Sequence, residues 1–371
     1  MKASCFLFLI FALADLTNAQ MREGFLSAVY VVANTGKHEP LPEFYKNIQE
    51  LQKTVNDNNV KGHLTSKGKE QMYIMGARLK RHYLKILDGI HDRNNINVTA
   101  MDNPRSLLSA NLLQAGFLGQ PRKESSEKEW DSADNKTKIH EFYEKSLKAF
   151  YNDNQCKQIF SQSVKTYFDG ENTKYSALKS KVQAKVPQVK DDDMWKVYNH
   201  FLSLKNDNKE LPNWLTYDDL LDMKEYVDTY IIKFSKTVEL KQISAGKYVK
   251  EFVDSLDKYQ RRREGPPIKI FAAEEMSFAA IVAALGGDKN FKICDEEKPF
   301  GWPKNGAMII GELHTESSTR YKFFKLLFWD PDEEKPQELH LNNCKGCDWY
   351  QYMHTTSKIR EFGKNSKTCQ G

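Results

Sequence analysis

Val29-Tyr30-Val31-Val32-Ala33-Asn34-Thr35-Gly36-Lys37-His38-Glu39-Pro40 is the stretch on which the fold turns. It continues an unbroken apolar run, Leu26 to Ala33, made largely of β-branched and aromatic residues. A run without polar alternation fits a strand buried on both faces of a parallel sheet. The polar residues that follow, punctuated by Gly36 and Pro40, then form a loop at the strand's C-terminal end. That is where an open α/β sheet places its ligands.

The flanking sequence repeats this strand–loop–helix pattern. Thr65 is a plausible N-cap, and Met72, Met75, Leu79 and Tyr83 fall on one helical face. Ile96 to Met101 reads as a second strand. Asn103 and Pro104 read as N-cap and first helical residue of an apolar helix running to Leu118. Strand texture returns at Ile268 to Ala273. A helix from Phe278 to Leu285 follows, stopped by Gly286-Gly287. Ala307 to Leu313 and Phe323 to Trp329 read as the last strands. Between the halves, Glu124 to Gln260 is rich in charged and aromatic residues at helical spacing. The expected architecture is α/β: a mostly parallel sheet flanked by helices in residues 20–120 and 265–371, with a helical cap inserted over 121–264.

The first residues read as a secretory signal peptide, residues 1–19. Lys2 precedes the apolar run Cys5 to Leu13, and Thr17-Asn18-Ala19 offers a small-residue cleavage site before Gln20. That run is too short to span a bilayer, and no later one is long and apolar enough. A secreted chain of roughly 350 residues is expected, large enough for a sizeable core. Five cysteines then remain, Cys156, Cys294, Cys344, Cys347 and Cys369, an odd number in an oxidising compartment. Cys344-Lys345-Gly346-Cys347 has no second ligand pair nearby, so a structural bridge is favoured over a zinc or redox site. A net charge of +5 from 55 basic and 50 acidic residues calls for no nucleic-acid partner. Arg261-Arg262-Arg263 reads as a solvated helix end. Asn97 and Asn135 head glycosylation sequons. Asn97 falls in a strand, leaving Asn135 as the expected site.

Several short patterns occur in one order. They are Gly36 and Pro40 in the loop; Leu64-Thr65-x-Lys67-Gly68-x-x-Gln71; Asp102-x-x-Arg105-Ser106-Leu107-x-Ser109-Ala110; Leu211-Pro212-x-Trp214-x-Thr216; Ala273-Glu274-Glu275-x-Ser277; and Glu312-Leu313. Together they resemble the histidine acid phosphatases, over nearly the whole mature chain. The resemblance implies that family's sheet-and-cap fold, with the ligand cleft between the two. It also assigns roles position by position, and each catalytic position departs from the pattern. Thr35 stands at the nucleophilic His. Asn34 and His38 stand at two loop arginines, Thr99 at a third, and Glu274-Glu275 at a late His-Asp pair. Phosphoryl transfer through a phosphohistidine needs those groups. Losing one such electrostatic contact costs ~3 kcal/mol, so losing several disables the reaction.

The replacements share a chemical direction. Three arginines and a histidine have given way to neutral groups and one imidazole, and the His-Asp pair to two carboxylates. The reading is a pocket whose charge has changed sign, in which adjacent carboxylates repel each other, raise at least one pKa and favour a bound ammonium. Asn34, Thr35, His38, Thr99, Glu274 and Glu275 are its candidate ligand-binding residues. Trp195 matches a cap residue bordering the channel in similar phosphatases and could stack on an aromatic amine. No residues have metal-ligand spacing, and no cofactor is implied. Inactive members resemble the salivary acid phosphatase-like proteins of blood-feeding fleas, a resemblance that implies a non-enzymatic scavenger of biogenic amines such as serotonin, histamine and catecholamines; a monomer is expected, with a dimer left open. A leukotriene-type lipid is the alternative ligand, and it would need an apolar tunnel and a Lys or Arg. A residual phosphatase is the last reading. The resemblance also implies the bridges Cys156–Cys369 and Cys344–Cys347, leaving Cys294 as the odd thiol.

Overall fold

The computed structural model describes residues 24–42, 49–54, 62–83, 96–120, 138–139, 175–189, 194–234, 236–262, 264–287, 291–293, 296–298, 300–339, 341 and 347–361. The expected signal peptide, Asn135, Cys294 and the Cys156–Cys369 pair lie outside these residues, as does Cys344. Cys347 is within them, buried and disulfide-bonded.

The quoted stretch forms the central strand, β1 (Gly24–Asn34). On one side it pairs in parallel with β4 (Ile268–Ala273), which pairs in parallel with β2 (Ile96–Ala100) and, beyond it, β3 (Lys138–Ile139). On the other side it pairs antiparallel with β7 (Met308–Glu316), followed by β8 (Lys322–Trp329) and β9 (Gln337–Glu338). The seven-stranded order is β3-β2-β4-β1-β7-β8-β9. β5 (Phe291–Ile293) and β6 (Glu296–Lys298) make a separate hairpin. The sheet is therefore mixed, parallel in one half only, which narrows the expected mostly parallel arrangement.

Both faces of β1 are buried, which explains its missing alternation. Ala28, Tyr30 and Val32 join one apolar cluster; Val29, Val31 and Ala33 join the other. Helices α1 (Ser66–Tyr83) and α2 (Pro104–Leu118) cover the Val29 face through Met72, Met75, Leu79 and Leu113. Thr65 caps α1, its Oγ1 accepting from Gly68 N at 3.1 Å. Asn103 caps α2, accepting from Ser106 N at 2.9 Å, with Pro104 in the first turn. Both caps are as the sequence indicates.

Among the described residues four helices stand between β3 and β4: α3 (Ser176–Lys185), α4 (Met194–Asn206), α5 (Tyr217–Phe234) and α6 (Val238–Arg262). The last of these falls within the expected insertion, residues 121–264. α6 lies on the Tyr30 face of the sheet, with Phe252 4.9 Å from Tyr30 and Tyr248 stacked at 5.5 Å on Phe271. It is a layer of the core, because its apolar stripe is the surface that buries this face. Beside it packs α7 (Glu275–Val282), which begins three residues earlier than expected and ends in a turn at Gly286, φ 108°. α8 (Trp349–Thr355) packs on β8 through Trp349 and Tyr352 against Phe324.

Candidate functional site

The C-terminal ends of β1, β2 and β4 share one edge of the sheet. There the loop after Asn34 meets the first turns of α2 and α7. The loop is held from below by α1. Lys37 O accepts from Thr65 N at 3.0 Å, and Lys37 N donates to Gln71 Oε1 at 3.2 Å. Gly36 N donates to Ser109 Oγ on α2 at 3.2 Å. This contact is close enough to require glycine at residue 68: a Cβ there would sit 1.8 Å from Lys37 O. Gly68→Ala is expected to displace the loop or α1 at a cost of about 1–3 kcal/mol. The check is thermal unfolding followed by circular dichroism, and an unchanged midpoint would contradict it.

Inside the loop the polar side chains bond one another. Glu275 Oε1 accepts from Thr35 Oγ1 at 3.1 Å, from His38 Nε2 at 2.7 Å and from Asn305 Nδ2 at 3.2 Å. His38 Nδ1 donates to Glu39 O at 2.6 Å. Thr35, His38 and Glu275 are all buried. Glu274, at the cap of α7, reaches sideways to Arg105 on α2, Oε2 to Nη2 2.7 Å. Burial alone would raise the Glu275 pKa. The charge and hydrogen bond of His38, with the charge of Arg105, outweigh burial and hold it at about 2.

These contacts correct the electrostatic part of the sequence reading. The Glu275 pKa is lowered, not raised, because its contacts with His38 and Arg105 outweigh burial. The expected change of sign is offset by Arg105, whose guanidinium pairs with Glu274, while His38 bonds Glu275. Arg105 was visible in the sequence but not weighed. Asn305, which bonds Glu275 and the carbonyls of Thr35 and Gly36 at 3.4 Å, had no sequence signal.

The remaining candidates sit apart from this cluster. Asn34 is buried and donates Nδ2 to Lys304 O at 2.9 Å. Thr99 Oγ1 contacts Ile270 O within the sheet at 3.5 Å. Trp195 is half-buried on α4, its ring 6.1 Å from that of Trp302. Among the described residues no group of three His, Cys, Asp or Glu is placed to hold a metal ion. Among the described residues no helix is long and apolar enough to cross a membrane.

A cleft of about 320 Å³ opens on the other side of Asn305. Leu202, Leu220, Leu221, Tyr198, Tyr217 and Trp302 give it apolar walls, and Lys37, Lys205, Lys224 and Lys304 give it charge. Lys304 is paired with Asp330 and Asp332, and Lys224 with Asp228. Lys205 lies 4.2 Å over the Tyr217 ring. None of the seven candidate residues lines this cleft.

The match to known proteins follows the sheet and this edge. The family model described as "Histidine phosphatase superfamily (branch 2)" matches residues 18–329. The chain belongs to this superfamily. Among curated relatives, acid phosphatase-like protein XcAP-1 of the flea Xenopsylla cheopis is 20% identical over 345 residues, 86% of this chain and 89% of that one. Among solved structures, the Hafnia alvei phytase in complex with myo-inositol hexakis sulphate gives a TM-score of 0.66 at 12% identity, covering 94% of this chain and 99% of that one. Klebsiella sp ASR1 phytase gives 0.64 at 12% identity, covering 92% and 95%. At such identities the phytases establish the fold of this chain and nothing about its ligand.

Proposed function

We propose that this superfamily member is a secreted, non-catalytic binder of small molecules. The observation that carries this reading is the state of Thr35, at the position of the family's nucleophile. Its buried hydroxyl is spent on Glu275, a carboxylate held at about pKa 2. A base that weak does not draw a proton from an alcohol near neutral pH. The one guanidinium in the bonded cluster, Arg105, already faces Glu274. Little positive charge is left for a transferring phosphoryl group.

The cleft chemistry supports an anionic, partly apolar ligand of the leukotriene type over an ammonium. Its walls are apolar, and Lys37 and Lys205 have no carboxylate in ion-pair range among the described residues. The amine reading retains one observation: Glu274 is 28% exposed and offers a carboxylate beside Arg105. In either case the protein scavenges host mediators by stoichiometry, opposing haemostasis and inflammation at a bite. That needs sub-micromolar affinity, roughly −8 kcal/mol or better.

The test has two arms. Release of a chromogenic phenol from its phosphate ester is expected to stay at background, and turnover would overturn the non-catalytic reading. Calorimetry with a leukotriene and with serotonin divides the ligands. Lys37→Ala with Lys205→Ala is expected to weaken leukotriene binding by ~10-fold or more and to leave serotonin unaffected. Tight serotonin binding that Glu274→Gln abolishes would favour the amine instead.

A further inference from the structure

A buried tyrosine or tryptophan ordinarily finds a partner for its O–H or N–H. Trp329 and Trp349 do so, donating their indole N–H to Glu333 O at 3.0 Å and to Asp257 Oδ1 at 3.2 Å. Two rings of the lysine-bearing cleft depart from that rule. Tyr198, on α4, is 4% exposed and Trp302, ahead of β7, is 7% exposed, and both line the cleft. Among the described residues neither the Tyr198 hydroxyl nor the Trp302 indole N–H has a hydrogen-bond partner, yet neither atom is sealed in the interior. Their partner is therefore whatever fills the cleft.

The polar groups around them are engaged within the protein. Gln71 Nε2 donates to Asn305 O at 2.7 Å and Asn206 Nδ2 to Asn305 Oδ1 at 3.2 Å, while Lys224 and Lys304 hold carboxylates. The two rings meet edge to face, 5.8 Å apart, one from α4 and one from the sheet side of the cleft. Trp302 is fixed in place. Its backbone N donates to Asp228 Oδ1 at 2.6 Å, and residue 301 is glycine because a Cβ there would lie 2.3 Å from the same oxygen. Burial first, then the charge of Asp228, raises the Tyr198 pKa, so the phenol keeps its proton. An indole N–H only donates. An oxygen acceptor satisfies both groups, whereas an ammonium has nothing to offer Trp302. Lys205 lies towards the mouth, over the ring of Tyr217, which is 57% exposed. A carboxylate held at Lys205 leaves an apolar body directed towards the buried rings.

We infer that Tyr198 and Trp302 determine specificity by receiving an oxygen carried on the apolar body of the cleft's ligand, so that the cleft selects oxygenated acyl acids over the unsubstituted acid of the same length. The inference rests on the reading of this cleft as a site for an anionic, partly apolar ligand, and adds an oxygen set apart from the carboxylate. A plain chain would press methylenes against two donors and leave them unpaired, and a site built to hydrogen-bond an oxygen rejects a ligand that lacks it.

The experiment is titration calorimetry of the full chain with tetradecanoic acid and with a series of hydroxytetradecanoic acids that differ in hydroxyl position, each below its aggregation limit. At least one hydroxy acid is expected to bind ~10-fold or more tighter than the parent. The matching keto acid, which accepts but cannot donate, should keep the gain. In Tyr198→Phe with Trp302→Phe the ratio of hydroxy-acid to parent affinity should fall to within ~3-fold. Tyr198→Phe alone removes one oxygen atom that makes no bond in the protein, and it should lower the same ratio. The ratio is the readout because a change in packing acts on both ligands. A gain that survives the double substitution, or one shown by the hydroxy acid and not by the keto acid, would overturn the inference. Equal affinities across the series, with binding that still depends on Lys37 and Lys205, would overturn it alone. If no acid binds, or Lys37→Ala with Lys205→Ala has no effect, the anionic reading of the cleft falls and this inference with it.

Discussion

Glu275→Ala is expected to destabilise the protein by about 3–5 kcal/mol at neutral pH. One carboxylate oxygen gathers donors from three parts of the chain: Thr35 and His38 in the loop, and Asn305 ahead of β7. Truncation takes the shared acceptor from His38 Nε2 and Thr35 Oγ1, both buried, and leaves Asn305 only its longer bonds to the Thr35 and Gly36 carbonyls, and a buried donor without an acceptor is the expensive kind of loss. Glu275→Gln keeps the shape and an accepting oxygen, so its loss should be smaller. The pH dependence has a definite sign. The Glu275 pKa falls from 4.5 to about 2 on folding, so its contribution is complete above pH 4.5 and disappears as pH falls towards 2. Urea unfolding at pH 7 measures the effect. A loss below about 1 kcal/mol, the value of an exposed ion pair, would show that the cluster does not hold the loop in place.

The sequence revealed features governed by local rules. β1 was legible because both of its faces are buried, so Val29, Val31 and Ala33 are as apolar as Tyr30 and Val32 between them. The caps at Thr65 and Asn103-Pro104 were legible because a cap is a matter of a few consecutive residues. The direction in which β7 pairs with β1 leaves no mark on either strand, so the mixed character of the sheet was not readable. α6 has the polar, periodic texture of the other inserted helices. Only its partners, Tyr30 and Phe271, reveal it as a core layer.

The site was half legible for a similar reason. Comparing the loop with a phosphatase pattern counts what was replaced at Asn34, Thr35, His38, Thr99, Glu274 and Glu275. It does not count what was kept. Arg105 stood in plain view, but its partner Glu274 is 169 residues away and meets it only where two helix starts converge. The cleft lysines come from the loop, α4, α5 and the segment before β7, with no spacing that could announce them.

Acid should act on this protein first through His200. The imidazole is buried on α4, and its Nε2 lies 2.7 Å from Thr54 Oγ1. The Thr54 hydroxyl proton is directed to Leu51 O at 2.6 Å, so Nε2 is the donor in this contact. The Phe201 ring stands edge-on at 5.3 Å. Burial lowers the His200 pKa from 6.5 to about 4, because a charged ring would lose its hydration there. The unfolded chain therefore binds the proton first. The stabilisation is complete above pH 6.5, is lost as pH falls from 6.5 to 4, and amounts to ~3 kcal/mol over that window. About two-thirds of it, ~2 kcal/mol, is gone by pH 5. Carboxylates add their own acid dependence, so the informative quantity is a difference. Urea unfolding of wild type and of His200→Phe, each at pH 7 and pH 5, isolates this one group. The wild type should lose ~2 kcal/mol more than the variant on acidification. Parallel losses in the two proteins would mean that His200 titrates normally and that the 49–54 segment does not hold it neutral.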